Sequence, residues 1–403
     1  MSLQLGELRV PRRILMGPGP TEVNPRVLRA MSLPVLGHLD PAFLEIMNQV
    51  TAMLRAVFQT QNELTLAVSG TGTAGMEATL FNLIEPGDEV LVAVKGYFGD
   101  RMCQMAERAG AKLTRLDTEW GTVFEPERIG AALKTMAKPK LVAIVHAETS
   151  TGALQPIEAI ARLAHEAGAL FLIDCVTSLG GTPVLIDEWK VDAAYSGTQK
   201  CLGSPPGLSP VTFSPRAVEV IRNRKTPPQS WYLDMGLIAR YWGGDRVYHH
   251  TAPINAIYGC HEALRLALDE GLSVRFARHL RNHHALVAGV EAMGLTLHAS
   301  ANRLPMLNTI RIPTGLDDMR IRGRLLNEFG IEIAGGLGAL KGRILRVGIM
   351  GYSSNPHNVT LFLAALEHIL ASEGVKIPRG AALASAHEVY TQAAASVSDH
   401  SGK

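Results

Sequence analysis

The chain has 403 residues, enough for two or three domains and a sizeable buried core. It is 47% hydrophobic and 19% charged, with a formal net charge of +2, a balance that gives no electrostatic reason to expect nucleic acid or a membrane surface as a partner. Its four cysteines are widely spaced and form no CxxC pair, which argues against a disulfide framework or a metal centre and for a reducing compartment, here the cytoplasm; no run is long and apolar enough to suggest a membrane span, and Met1–Arg13 carries no secretory signal pattern.

In chain order, Gly17-Pro18-Gly19-Pro20-Thr21 is a stiff, irregular opening. Residues 41–58 place Phe43, Ile46, Met47, Val50, Met53, Leu54 and Val57 at helical spacing and predict an amphipathic helix. Strands are predicted over 64–68, 89–94, 112–116, 140–145, 169–173, 191–195 and 208–213. Helical patterns lie between several of them, including 70–83 and 157–167. Such alternation predicts an α/β fold with a mostly parallel sheet covered by helices on both faces. Near Tyr248 the rhythm changes to long helices (255–270 and 274–293), followed by strands 308–312 and 345–347 around a helix at 318–329, and a last helix at 357–371. The pattern divides the chain into an N-terminal segment (1–20), a large domain (21–268), a smaller α+β domain (269–378) and a loose Ala/Ser-rich tail (379–403). No internal repeat is found.

The chemistry-bearing groups fall after predicted strands, where ligands bind in open α/β sheets. Ser69-Gly70-Thr71-Gly72-Thr73-Ala74-Gly75 opens a helix, and its small residues and hydroxyls suit an anion such as phosphate. The same run matches G-x-G-x-x-G. A dinucleotide site needs an acidic residue at the end of the next strand, however, and Lys95-Gly96 stands there instead. Gly96-Tyr97-Phe98-Gly99 offers a ring that could stack on a flat heterocycle. Its alternative is a ring packing a loop onto the core.

His146-Ala147-Glu148-Thr149-Ser150-Thr151-Gly152 gathers polar side chains at one strand end; taken singly, each is equally a cap or turn residue. Asp174 ends an apolar strand, as a helix cap, a metal ligand or the partner of a cation such as a protonated ring nitrogen. Arg346 sits inside an apolar strand and wants a carboxylate, internal or substrate-borne. The adjacent His249 and His250 make a poor metal pair. Lys200 lies between two core strands in Ser196-Gly197-Thr198-Gln199-Lys200. A desolvated lysine there has a lowered pKa and can attack a carbonyl carbon. A phosphate cradle, a stacking ring, a strand-end aspartate and a buried lysine together suit pyridoxal 5′-phosphate.

In this combination the sequence resembles the class V aminotransferases of fold type I, in particular the alanine–glyoxylate and serine–pyruvate group. The matching segments include Gly17–Thr21, Leu36-Gly37-His38, Ser69–Gly72 with Met76-Glu77, and Glu85-Pro86-Gly87-Asp88. They continue with Glu148 and Ser150-Thr151-Gly152, Asp174 with Ser178–Pro183, Ser196-Gly197 with Gln199-Lys200, and Pro205-Pro206-Gly207. Tyr248–Thr251, Gly335–Gly338 and Arg346 with Gly348 complete the set. The resemblance implies a large domain with a seven-stranded sheet, a Schiff-base lysine at Lys200 and a pyridinium partner at Asp174. It also implies phosphate contacts from Thr71, Gly72, Thr73 and Gln199, a ring contact from Phe98 and a phenolic-oxygen contact from Thr149. Arg346 would clamp the substrate carboxylate, beside a tight wall at Gly17–Gly19. Tyr248 and Thr251 would reach the phosphate of a neighbouring subunit's cofactor, making a homodimer with its active site at the interface.

Thr73 stands where the family often has His, and Phe98 where it often has Trp. Thr71 stands where relatives that use the phosphate-free vitamer carry a glutamate. The activity implied is ping-pong transfer of an amino group from alanine or serine to glyoxylate or pyruvate. The competing readings are pyridoxamine–pyruvate aminotransferase, a cysteine desulfurase or lyase, an NAD oxidoreductase and an inert homologue. A desulfurase needs a cysteine on a mobile loop, and Cys201 adjoins the lysine instead.

Overall fold

Strand direction in the main sheet follows from how the strands are joined. The computed structural model describes residues 6–398. Its main sheet has seven strands: β1 (Leu64–Ser69), β2 (Glu89–Val94), β3 (Lys112–Asp117), β4 (Pro139–Val145), β5 (Leu170–Asp174), β6 (Ala193–Tyr195) and β7 (Leu208–Phe213). They lie in the order β1-β7-β6-β5-β4-β2-β3. Pairings among β2, β3, β4, β5 and β6 are parallel, whereas β7 runs antiparallel to both neighbours. The parallel strands require helical crossovers, which cover both faces. Accordingly β5 is buried at all five positions and its sequence is apolar up to the final aspartate.

Helix α1 (Pro41–Phe58) begins where Asp40 accepts from the Ala42 amide at 2.8 Å and Pro41 occupies its first turn. It buries Phe43, Met47, Val50, Leu54, Val57 and Phe58, five of which belong to the predicted stripe. Helix α2 (Gly72–Leu83) follows β1 directly, and α3 (Tyr97–Arg108) follows β2. The sequence predicts no helix after β2; Tyr97 and Phe98 form the first turn of α3.

Two cores are distinguishable. The first surrounds the main sheet and takes buried residues from α4 (Ile254–Glu270) as far as Leu264. The second takes Ala285, Leu286, Val287 and Val290 from α5 (Leu272–Ala292). Also in it are α6 (Asp318–Phe329), α7 (Pro356–Ser372) and strands Leu307–Arg311 and Ile344–Gly348, which with Ala334–Gly335 form a three-stranded sheet. Two parts of the predicted division need correction. The opening segment does not stand apart: Ile14–Leu15 pairs with Ile331–Glu332, and Met16 is fully buried in the second core. The tail is not loose over 381–398, because those residues form helix α8 (Ala381–Ser398), which lies on α5. Ala382 and Ala386 are buried one turn apart in the second core, and the Tyr390 hydroxyl donates to Asn282 at 2.9 Å. An alanine-rich stripe is quiet in sequence yet lets two helices approach closely. Residues 399–403 lie outside the described range.

Candidate functional site

Asp174 ends β5, and Tyr195, its partner in the register, ends β6. Neighbouring strand ends bring the tyrosine under the carboxylate: one carboxylate oxygen accepts from the Tyr195 hydroxyl at 2.7 Å, the other from the Val176 amide at 2.8 Å. Burial pushes Asp174 up to about 6, and the two hydrogen bonds and nearby Lys200 only partly offset it. The carboxylate faces a cleft of about 190 Å³, lined among others by Thr71, Gly72, Thr73, Phe98, Thr149, Gln199 and Lys200. The structure thus brings together eight of the residues singled out from sequence.

Lys200 follows β6 through a segment fixed by backbone bonds. The Ser196 amide donates to Pro210 at 2.8 Å, and the Thr198 hydroxyl donates to Pro205 at 2.8 Å. The lysine carbonyl accepts from the Thr21 hydroxyl at 3.3 Å. Its amine donates to the Pro18 carbonyl and lies against Gly19. Burial lowers Lys200 to about 8; Arg346 lowers it further, and Asp174 acts in the opposite sense. An amine held this low has an appreciable neutral fraction near neutral pH, as a nucleophile or base requires.

Gly19 has φ +111°, and a methyl group there would sit 2.7 Å from both Cδ and Nζ of Lys200. Gly19→Ala is therefore expected to displace the amine and strain the backbone, weakening cofactor uptake about tenfold or more. Titration of the apoprotein with pyridoxal 5′-phosphate, followed by absorbance, measures this.

At the other end, Thr71 precedes α2 without capping it through its side chain, and no acidic residue occupies the first turn. The amide groups of that turn are therefore free to meet an anion. Gly72 is needed for width, since a methyl there would meet Val176 at 3.1 Å. The buried Gln199 side-chain oxygen has no hydrogen-bond partner among the described residues. Sequence reasoning missed Arg101. It sits three residues after Phe98 on α3, lines the cleft, donates to the Thr73 hydroxyl at 3.2 Å and lies 5.2 Å from the centre of the Phe98 ring. Only the unpredicted helix would have signalled it. Tyr195 was likewise missed, because its role depends on sheet order.

Arg346 is buried behind Thr149 rather than in the cleft lining. Its guanidinium donates to the Gly335 carbonyl at 2.7 Å and the Thr149 carbonyl at 3.4 Å. The sequence left an internal ion pair open for it, but none of the ion pairs among the described residues includes Arg346. Burial lowers it to about 10, against the pull of Glu148. Tyr248 and Thr251 do not join the cleft of their own chain. Tyr248 is 58% exposed and lies by His38. His249 and His250 contact each other, and among the described residues no group of three or more His, Cys, Asp or Glu could hold a metal ion. A larger groove of about 1550 Å³ lies elsewhere, beside α1 and β1, and holds none of these residues.

A carboxylate at one end, an anion cradle of helix-start amides at the other, and a lysine amine between them fit a phosphorylated pyridine aldehyde. The cleft accommodates pyridoxal 5′-phosphate on these grounds. Comparison with known proteins points the same way. The sequence profile described as "Aminotransferase class-V" matches residues 15–355. The crystal structure of ureidoglycine–glyoxylate aminotransferase from Bacillus subtilis is 46% identical, with a TM-score of 0.94 over 96% of this chain and 100% of that one. That of alanine–glyoxylate aminotransferase from Nostoc is 52% identical, with a TM-score of 0.90 over 91% and 98%. The alanine–glyoxylate aminotransferase of Drosophila melanogaster is 41% identical over 92% of this chain and 95% of its own. The chain belongs to the class V aminotransferases, enzymes of fold type I that work with pyridoxal 5′-phosphate.

Proposed function

We propose that the enzyme moves the amino group of a small amino acid, alanine or serine, to glyoxylate, with pyruvate as a second acceptor. The observation that carries the reading is Arg346: a buried guanidinium with no carboxylate of its own, close enough to Lys200 to lower the amine's pKa. Amino donors and 2-oxo acids share one group, the carboxylate, and a single arginine serves both halves of an exchange. The choice of glyoxylate draws on the relatives, whose names specify it.

Bound pyridoxal 5′-phosphate supplies an electron sink for the pair left behind when an α-proton departs. The chain's residues do the rest. Asp174 keeps the ring nitrogen protonated, and the hydroxyl of Tyr195 holds Asp174 in place. Thr71, Gly72, Thr73 and Gln199 would hold the cofactor's phosphate, and Phe98 and Thr149 its ring. Lys200 would hold the cofactor, and its neutral amine would take the α-proton of the bound substrate and return it. Gly19 keeps the substrate side of the lysine narrow. Tyr248 and Thr251, exposed on their own chain, would complete the cradle of a second copy, which makes the active unit a homodimer. Four free, buried cysteines suit a reducing compartment, the cytoplasm.

A panel of amino donors (alanine, serine, glycine and ureidoglycine) against glyoxylate and pyruvate tests the substrate reading. Turnover only with ureidoglycine would overturn the choice of donor. Arg346→Ala is expected to raise KM for donor and acceptor alike by roughly a hundredfold, with a smaller change in kcat. Steady-state kinetics with each substrate varied in turn checks this.

A further inference from the structure

A second lysine is buried beside the cleft without a role in the scheme above. Lys95 directly follows β2, is fully buried, and donates to the Ala153 carbonyl at 3.1 Å. Ala153 pairs with Glu148 across the short hairpin formed by Ala147–Glu148 and Ala153–Leu154. Glu148 is also fully buried and lies against the backbone beside Lys95: a methyl group at Gly96 would overlap its side chain. One Glu148 oxygen accepts from the Ser150 amide at 3.1 Å and from its hydroxyl at 2.6 Å. The other has no partner among the described residues.

Arg346 reaches the same hairpin through the Thr149 carbonyl. The field of one buried carboxyl group therefore acts on two buried cations, with neither of which it forms an ion pair among the described residues. It counters the effect of burial on Lys95 and on Arg346. The other titratable group that acts on Lys95 is Asp174, at the end of β5; Lys95 in turn adds to the burial that lowers His146, which follows β4.

A substrate carboxylate arriving at Arg346 must compete with Glu148. A buried charge left without a partner is costly, so Glu148 draws on the field of whichever cation lies near it. We propose that Lys95 is a positioning residue of the transamination: its ammonium group neutralises Glu148 and braces the hairpin, leaving the Arg346 guanidinium for the carboxylates of both substrates. The proposal rests on the assignment of Arg346 as the substrate clamp.

The test uses the cofactor-loaded enzyme and the variants Lys95→Met, Glu148→Gln and the pair combined. The readouts are the Kd of propionate, a carboxylate with no amino group to transfer, and the KM values for alanine and glyoxylate. Lys95→Met is expected to raise all three about tenfold, with kcat changed less than about threefold, the size of one uncompensated charge in a partly screened interior. Removing Glu148 as well is expected to return them to within about twofold of the parent enzyme, a reciprocal rescue that a packing role would not produce. Unchanged propionate binding in Lys95→Met, or the same loss in single and double variants, overturns the proposal. Should Lys95→Met fail to fold, Glu148→Gln carries the test: tighter propionate binding supports the proposal and weaker binding refutes it. Arg346→Ala separates the two assignments. If it leaves propionate binding intact, the clamp itself is misassigned; if it weakens binding while Lys95→Met does not, only the role of Lys95 falls.

Discussion

Lys200→Ala is expected to lower transamination roughly 10⁴-fold or more, because in the proposed function one side chain both carries the cofactor and moves the α-proton. The structure explains why no neighbour can substitute. The Lys200 amine is held at Pro18 and Gly19, inside the cleft, whereas Lys95 is tied to Ala153 behind the hairpin. Three measurements check the expectation. Borohydride reduction followed by peptide mass analysis should place the cofactor's mass on Lys200 in the parent enzyme and nowhere in the variant. The visible absorbance of the cofactor should shift to that of a non-covalently held aldehyde. Single-turnover kinetics should show the loss in the proton-transfer step, with partial rescue by small exogenous amines. Normal turnover in Lys200→Ala would overturn the site assignment altogether.

Asp174→Asn is the second large effect. Asparagine keeps the shape and can still meet the Val176 amide, but it cannot balance a ring cation, so kcat should fall about a hundredfold to a thousandfold. The variant also separates catalysis from folding. In the cofactor-free protein, burial holds Asp174 at about 6, above its ordinary 3.8. Between those values the folded chain binds more protons than the unfolded chain. The contribution of this group to stability is therefore most favourable below pH 3.8 and declines as pH rises through 6, by about 3 kcal/mol in all. Asp174→Asn should lack that decline. Denaturant titrations of both apoproteins between pH 4 and 7 would show two curves that converge toward acid and separate toward neutrality, the variant being the more stable at pH 7. A cation opposite the carboxylate reverses the penalty, so cofactor binding should stabilise the parent more than the variant.

The cleft also shows how far apolar patterning reaches. Lys200 and Asp174 stand out in sequence because each interrupts or ends a run that must be buried, and the Gly/Thr-rich turn before α2 stands out because only small residues give an anion access to amide groups. Residues whose importance comes from a neighbour are silent. Tyr195 reads as the last apolar residue of a strand until β6 lies beside β5 and its hydroxyl meets Asp174. Arg101 reads as a surface arginine until α3 turns it toward Thr73. Lys95 reads merely as the absence of an acidic residue, a reason to set NAD aside, until the hairpin closes over it.

The sequence by itself determined the alternating elements, the lysine and aspartate at strand ends, and the family resemblance, because each depends on local periodicity or on spacing along the chain. Only the tertiary structure decided which strand ends are neighbours, where the N-terminal segment and the α8 helix pack, and which buried cations share Glu148. Those are contacts between distant segments, chosen by sheet order and the closing of the core, and no local pattern encodes them.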